Sequence, residues 1–174
     1  MTKTSSYKHL LAGMFAGGLL LMVQSASAQS WTSVGSTCIP DDESVGLYSF
    51  DNGTFQFGAG KTGTIKARCH ITNPLDGALP TWNTLTIGYR DPDGIGLNDQ
   101  VFVQLVRVAR GTGVVTVIKS FDSNAFTSVG STVHSVNFTH TFDFTNFAYY
   151  LALNVDRAST ADSAAAWFAR LSTT

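Results

Sequence analysis

The chain has 174 residues, 44% of them hydrophobic and only 13% charged, with a formal net charge of −1. That balance excludes a nucleic-acid-binding surface, which needs clustered basic side chains to neutralise phosphates. The apolar and aromatic content excludes a disordered chain, and the length suits one domain that buries roughly two-thirds of its unfolded surface.

Residues 1–28 read as a secretory signal peptide. Lys3 and Lys8 form the positive start, Leu10 to Val23 the apolar stretch, and Ala26-Ser27-Ala28 the small-residue cleavage site. The apolar stretch falls short of the ~20 residues that a spanning helix needs. No second run of that length follows, so no membrane span is expected after cleavage. The remaining domain, 29–174, would be secreted, periplasmic or extracellular. It contains eleven Asp but only one Glu, Glu43, and no Met. Asp favours turns whereas Glu and Lys favour helices, so strands joined by tight turns are expected.

Cys38 and Cys69 are the two cysteines. In an oxidising compartment they should form a disulfide. Closing a loop of about 31 residues contributes roughly 3–4 kcal/mol in the chain-entropy model.

A period of two runs through the rest of the chain. Val45–Phe50 and Thr54–Phe57 flank Asp51-Asn52-Gly53, a strong hairpin signal. Along Thr64–Thr72, Ile65, Ala67, Cys69 and Ile71 share one face. Lys66, Arg68 and His70 share the other, as a small basic patch. Asn83–Tyr89 directs Leu85, Ile87 and Tyr89 inward. Val101–Ala109 changes phase at Leu105-Val106, which suggests a β-bulge there. Arg110-Gly111-Thr112-Gly113 turns the chain into Val114–Phe121. His134–Phe144 is the longest alternating run and is read as one strand, followed by Tyr149–Val155 and Ala164–Leu171. About nine strands without sustained helical period predict an all-β fold. A single antiparallel β-sandwich with Greek-key or jelly-roll connections and one disulfide is the expected architecture.

The loop from Asp91 to Asp99 is rich in hard oxygen donors. Asp91, Asp93, Asn98 and Asp99 are candidate calcium ligands, because calcium takes six to eight oxygens from closely spaced carboxylates, amides and carbonyls. A plain polar turn set by Pro92 and its glycines is the competing reading. His134 and His140 stand too far apart on an extended strand to share a metal, and read as hydrogen-bonded core or rim histidines. There is no Gly-x-Ser-x-Gly elbow and no His-Glu-x-x-His helix. Asp143 and Asp156 would serve as a glycosidase pair only if the fold brought them together. Phe102 and Tyr150 fall out of phase with their buried neighbours. They are candidates for an exposed ligand-binding surface, where sugars stack their C–H faces on aromatic rings; burial of the rings by a second sheet is the competing reading.

Cys38, Phe55-Gln56-Phe57-Gly58 and Thr62-Gly63-Thr64-Ile65 ahead of Cys69 resemble the N-terminal half of secreted pilin-type and spore-coat-type β-sandwich subunits. The resemblance covers about 32 residues and implies a disulfide across this spacing. The chain departs from such subunits in lacking a long alternating N-terminal extension and an aromatic residue near the C-terminus.

The first functional expectation is a non-enzymatic exported domain that works by surface or ligand binding at the cell envelope or outside the cell, its ligand unspecified, with a glycan or a calcium-dependent ligand among the options. The second is a structural subunit that self-associates through Val133–Phe144 or Ala164–Leu171 as an open edge strand. The third is a small secreted hydrolase, which requires His70, His134 or His140 to meet a carboxylate in a pocket.

Overall fold

A computed structural model describes residues 29–74 and 78–174. The segment read as a signal peptide lies outside the described residues. Among the described residues eleven strands form two sheets, and every pairing is antiparallel. They are β1 (Trp31–Val34), β2 (Ile39–Pro40), β3 (Tyr48–Asp51), β4 (Thr54–Phe57), β5 (Gly63–Ile71), β6 (Thr84–Asp91), β7 (Asp99–Ala109), β8 (Val115–Asp122), β9 (Gly130–Asn137), β10 (Phe147–Arg157) and β11 (Ala165–Ser172). One sheet runs β3-β4-β11-β6-β9, with β1 also pairing β11, and the other runs β2-β5-β10-β7-β8. From β4 onward the chain swaps sheets in the order of a jelly roll, which narrows the expected sandwich to one topology. Of the three short strands before it, β2 and β3 extend the sheets at their edges, and β1 pairs β11 off the main strand order.

The two inner faces interdigitate to make one core. Leu85, Ile87 and Tyr89 from β6 and Leu171 from β11 meet Ile65 and Ile71 from β5, Val101, Val103 and Leu105 from β7, and Leu151 and Val155 from β10, all essentially solvent-free. The alternation in the sequence thus fixes which face is buried. Cys38 and Cys69 are bonded to each other inside this core, as expected. The bridge ties the segment before β2 to β5. At the predicted hairpin Asn52 takes φ 47° and Gly53 φ 88°, the left-handed pair of a type I′ turn that suits the twist of β3 and β4.

Several expectations are corrected. The segment 45–47 precedes β3 as part of a turn rather than a strand. The two additional strands, β1 and β2, are too short to leave a pattern in the sequence. His134–Phe144 is not a single strand. Pairing ends at Asn137, because the chain must then cross to the other sheet and abandon its ladder. Phe138 and Phe142 still enter the core, so the alternation persists without a strand beneath it. The register irregularity at Leu105-Val106 is present, but β7 keeps its phase against β10. The extra residue is Ile118 on the partner, since Leu105 pairs Lys119 and Val106 pairs Val117. Ala164–Leu171 corresponds to β11, which is interior to its sheet, so it offers no open edge.

Candidate functional site

The outer face of the five-stranded sheet carries the two aromatic residues singled out from their phase. Tyr150 lies between His70 on β5 and Val106 on β7. Phe102 lies beside Asn154 on β10 and Asp122 on β8. Both rings are half-buried, with no further layer of the described residues above them. Val106 is 2% exposed although it points outward, and forms an apolar floor between Tyr150 and Val117. Four residues separate Tyr150 from Asn154 along β10, which puts the two aromatic positions about 14 Å apart at strand rise. Ala152, Gln104 and Asn154 lie between them. Gln104 Nε2 donates to Ser120 Oγ at 3.4 Å, and Gln100 Nε2 donates to Asp122 Oδ1 at 2.8 Å. The face therefore offers two aromatic surfaces separated by amides and hydroxyls.

The basic patch expected on β5 is neutralised. Lys66 pairs with Glu43 at 2.9 Å and Arg68 with Asp41 at 2.8 Å, because the turn holding both acids folds against β5. Arg68 also sits 5.8 Å from the centre of the Tyr150 ring. His70 is exposed on the same face, next to Tyr150.

A second aromatic surface, which strand phase alone does not reveal, lies on the other sheet. A register irregularity in β11 between Ala166 and Phe168 leaves Trp167 as an extra residue. The half-exposed rings of Trp167 and Phe168 reach over Gly88 on β6, and a Cβ there would collide with both. A glycine inside a strand, paired with adjacent aromatics two positions before Ala169, is the signal that could have revealed it.

The remaining candidates separate. His134 Nε2 and Ser128 Oγ are 3.0 Å apart, and the imidazole stacks on Phe126 with centres 4.1 Å apart. Tyr149 Oη accepts from the Asp143 backbone N–H at 2.9 Å and lies 3.2 Å from His140 Nε2. Burial holds the His140 imidazole below its ordinary pKa, with Arg107 adding to the effect, so the Tyr149 hydroxyl meets a neutral ring. Asp143 caps a turn, accepting from Thr145 N, Asn146 N and Asn146 Nδ2, and these bonds hold its carboxyl below the usual range. Asp156 accepts from Thr64 Oγ1 near the other end of β10. The two carboxylates do not converge as a glycosidase pair.

The Asp91–Asp99 loop links β6 to β7 at one end of the sandwich. Asp91 and Asp99 are fully buried, and burial pushes both carboxyls up to about 6. Asp93 Oδ2 accepts from Asn98 N at 2.9 Å. Asn98 is exposed, and its carbonyl accepts from Ala158 N at 2.8 Å. Asp91 and Asp99 thus sit in the interior, Asp93 N donates to Asp91 Oδ1 at 3.3 Å, and Asn98 is left on the rim.

No family model and no curated protein matches the chain. Solved structures resemble it in backbone. A structure described as the xylan-binding module CBM15 has a TM-score of 0.49 at 8% identity, over 85% of this chain and 99% of its own. A low-affinity xylan binding module, CBM86, from Roseburia intestinalis has a TM-score of 0.41 at 9% identity, over 84% and 97%. A family two carbohydrate esterase from Cellvibrio japonicus has a TM-score of 0.40 at 13% identity, over 84% of this chain but 34% of the esterase.

Proposed function

We propose that this chain is an exported, non-catalytic module that binds an extended carbohydrate across the outer face of its five-stranded sheet. The observation that carries this reading is the pair of half-exposed rings, Tyr150 and Phe102, on one uncovered sheet face with amides and hydroxyls between them. Each ring offers a face on which a sugar's C–H groups can stack, and the groups between can exchange hydrogen bonds with hydroxyls. A span of about 14 Å suits a chain of several sugar units rather than a monosaccharide. Side chains on paired strands are held by the ladder, so little ordering cost falls on the protein when the glycan arrives.

Affinity electrophoresis through gels containing soluble neutral polysaccharides tests this. At least one polysaccharide should retard the native protein. Tyr150→Ala and Phe102→Ala should each weaken binding about tenfold, equivalent to ~1.4 kcal/mol, with melting temperatures close to the parent. The proposal fails if no polysaccharide retards the protein, or if both variants bind as tightly as the parent. Trp167→Ala reports on the opposite face and should leave binding intact.

A further inference from the structure

The loop between β6 and β7 has an electrostatic problem that the glycan face does not explain. Asp91 shares the inward phase of Leu85, Ile87 and Tyr89, while Asp99 shares that of Val101 and Val103. The two carboxylates therefore enter the interior from opposite sheets at the same end of the sandwich. Both residues are 0% exposed. Asp91 Oδ2, Asp93 Oδ1 and both carboxylate oxygens of Asp99 are buried without a hydrogen-bond partner, as is the hydroxyl of Tyr89 next door. Asp93 and Asp162 add further negative charge around Asp99. Arg157 stands opposite Asp99 in register and its charge offsets part of this repulsion, but its guanidinium donates to the carbonyls of Ser159 and Thr160 and not to Asp99.

A carboxylate without a partner is among the costliest groups to bury, and facing carboxylates repel one another as well. Orphaned buried oxygens at one place call for an unseen cation or water. The donors here are all oxygen, which disfavours zinc and copper and favours a hard cation. We propose that Asp91 and Asp99 hold a calcium ion that clips the 92–98 loop between the two sheets. Among the described residues no three His, Cys, Asp or Glu side chains surround a single point. The rest of the shell therefore falls to peptide carbonyls and water, both of which calcium accepts in irregular arrangements. Magnesium demands near-ideal octahedral geometry and dehydrates reluctantly, so it fits this loop poorly.

Thermal melts of the chelator-stripped protein at pH 7.5, alone and with 1 mM calcium or magnesium, test the site. Calcium should raise the midpoint by about 5 °C or more, and magnesium by much less. Asp91→Asn and Asp99→Asn should each melt higher than the parent in chelator, because a repelling charge is gone, and should lose the calcium increment. Asp51→Asn, on an exposed turn, should keep it. Equilibrium dialysis of the parent against radioactive calcium should give one ion per chain, and serves even if a variant misfolds. No bound ion on dialysis, or an undiminished increment in both Asp91→Asn and Asp99→Asn, overturns the proposal. Neither result bears on the polysaccharide assay, which can be run in chelator.

Discussion

The rings of Tyr150 and Tyr149 show how one position along a strand changes a residue's role. Tyr150 faces outward beside Arg68, whereas Tyr149 faces inward and spends its hydroxyl on Asp143 and His140. Burial raises the Tyr149 hydroxyl's pKa and lowers that of His140, so both stay neutral around pH 7. The stability consequence for His140 has a definite sign. Its folded pKa lies below the ordinary 6.5, so the unfolded chain binds the extra proton first. Its contribution is intact above about pH 6.5 and is lost as pH falls below that value. An NMR titration should find the His140 imidazole titrating below 6.5. Urea melts at pH 7.5 and 5.0 should show a smaller acid-side loss in His140→Gln than in the parent, with Arg107 as the charged neighbour in both.

At the scale of strands and turns, much of the fold was legible because each sheet has one wet face. Ile65, Ala67, Cys69 and Ile71 on β5 alternate with Lys66, Arg68 and His70, and the burial follows that alternation residue by residue. The Asp51-Asn52-Gly53 turn was equally readable, since few sequences tolerate two successive positive φ angles. What stayed hidden was non-local. Pairing at β9 ends after Asn137 because of where the next sheet lies, and nothing in His134–Phe144 encodes that distance. The same limit applies to the candidate site. Phase exposed Tyr150 and Phe102, but only the fold shows that they share a face, that Asp41 and Glu43 cancel the charge of Arg68 and Lys66, or that Trp167 and Phe168 meet over Gly88. The disulfide acts at this scale as well. β2 contributes only two residues of pairing to β5, and the bond from Cys38 to Cys69 adds a covalent tie to that edge. Cys38→Ser with Cys69→Ser should lower unfolding free energy by about 3 kcal/mol in denaturant melts.

Across the whole molecule, the jelly-roll order places each long strand between partners and leaves β8 and β9 as the long outer margins. β8 presents Val115 and Val117, at 58% and 47% exposure, and would look at first like an invitation to another strand. Ile118 interrupts it. The surplus residue throws the donors and acceptors of that margin out of step halfway along, so a second copy laid alongside could match one half of β8 but not both. Size-exclusion chromatography at high concentration should accordingly give a monomer. Deleting Ile118 should straighten the strand and shift the protein toward larger species. A single surplus isoleucine would then act as a frayed hem, keeping each molecule apart from its own kind.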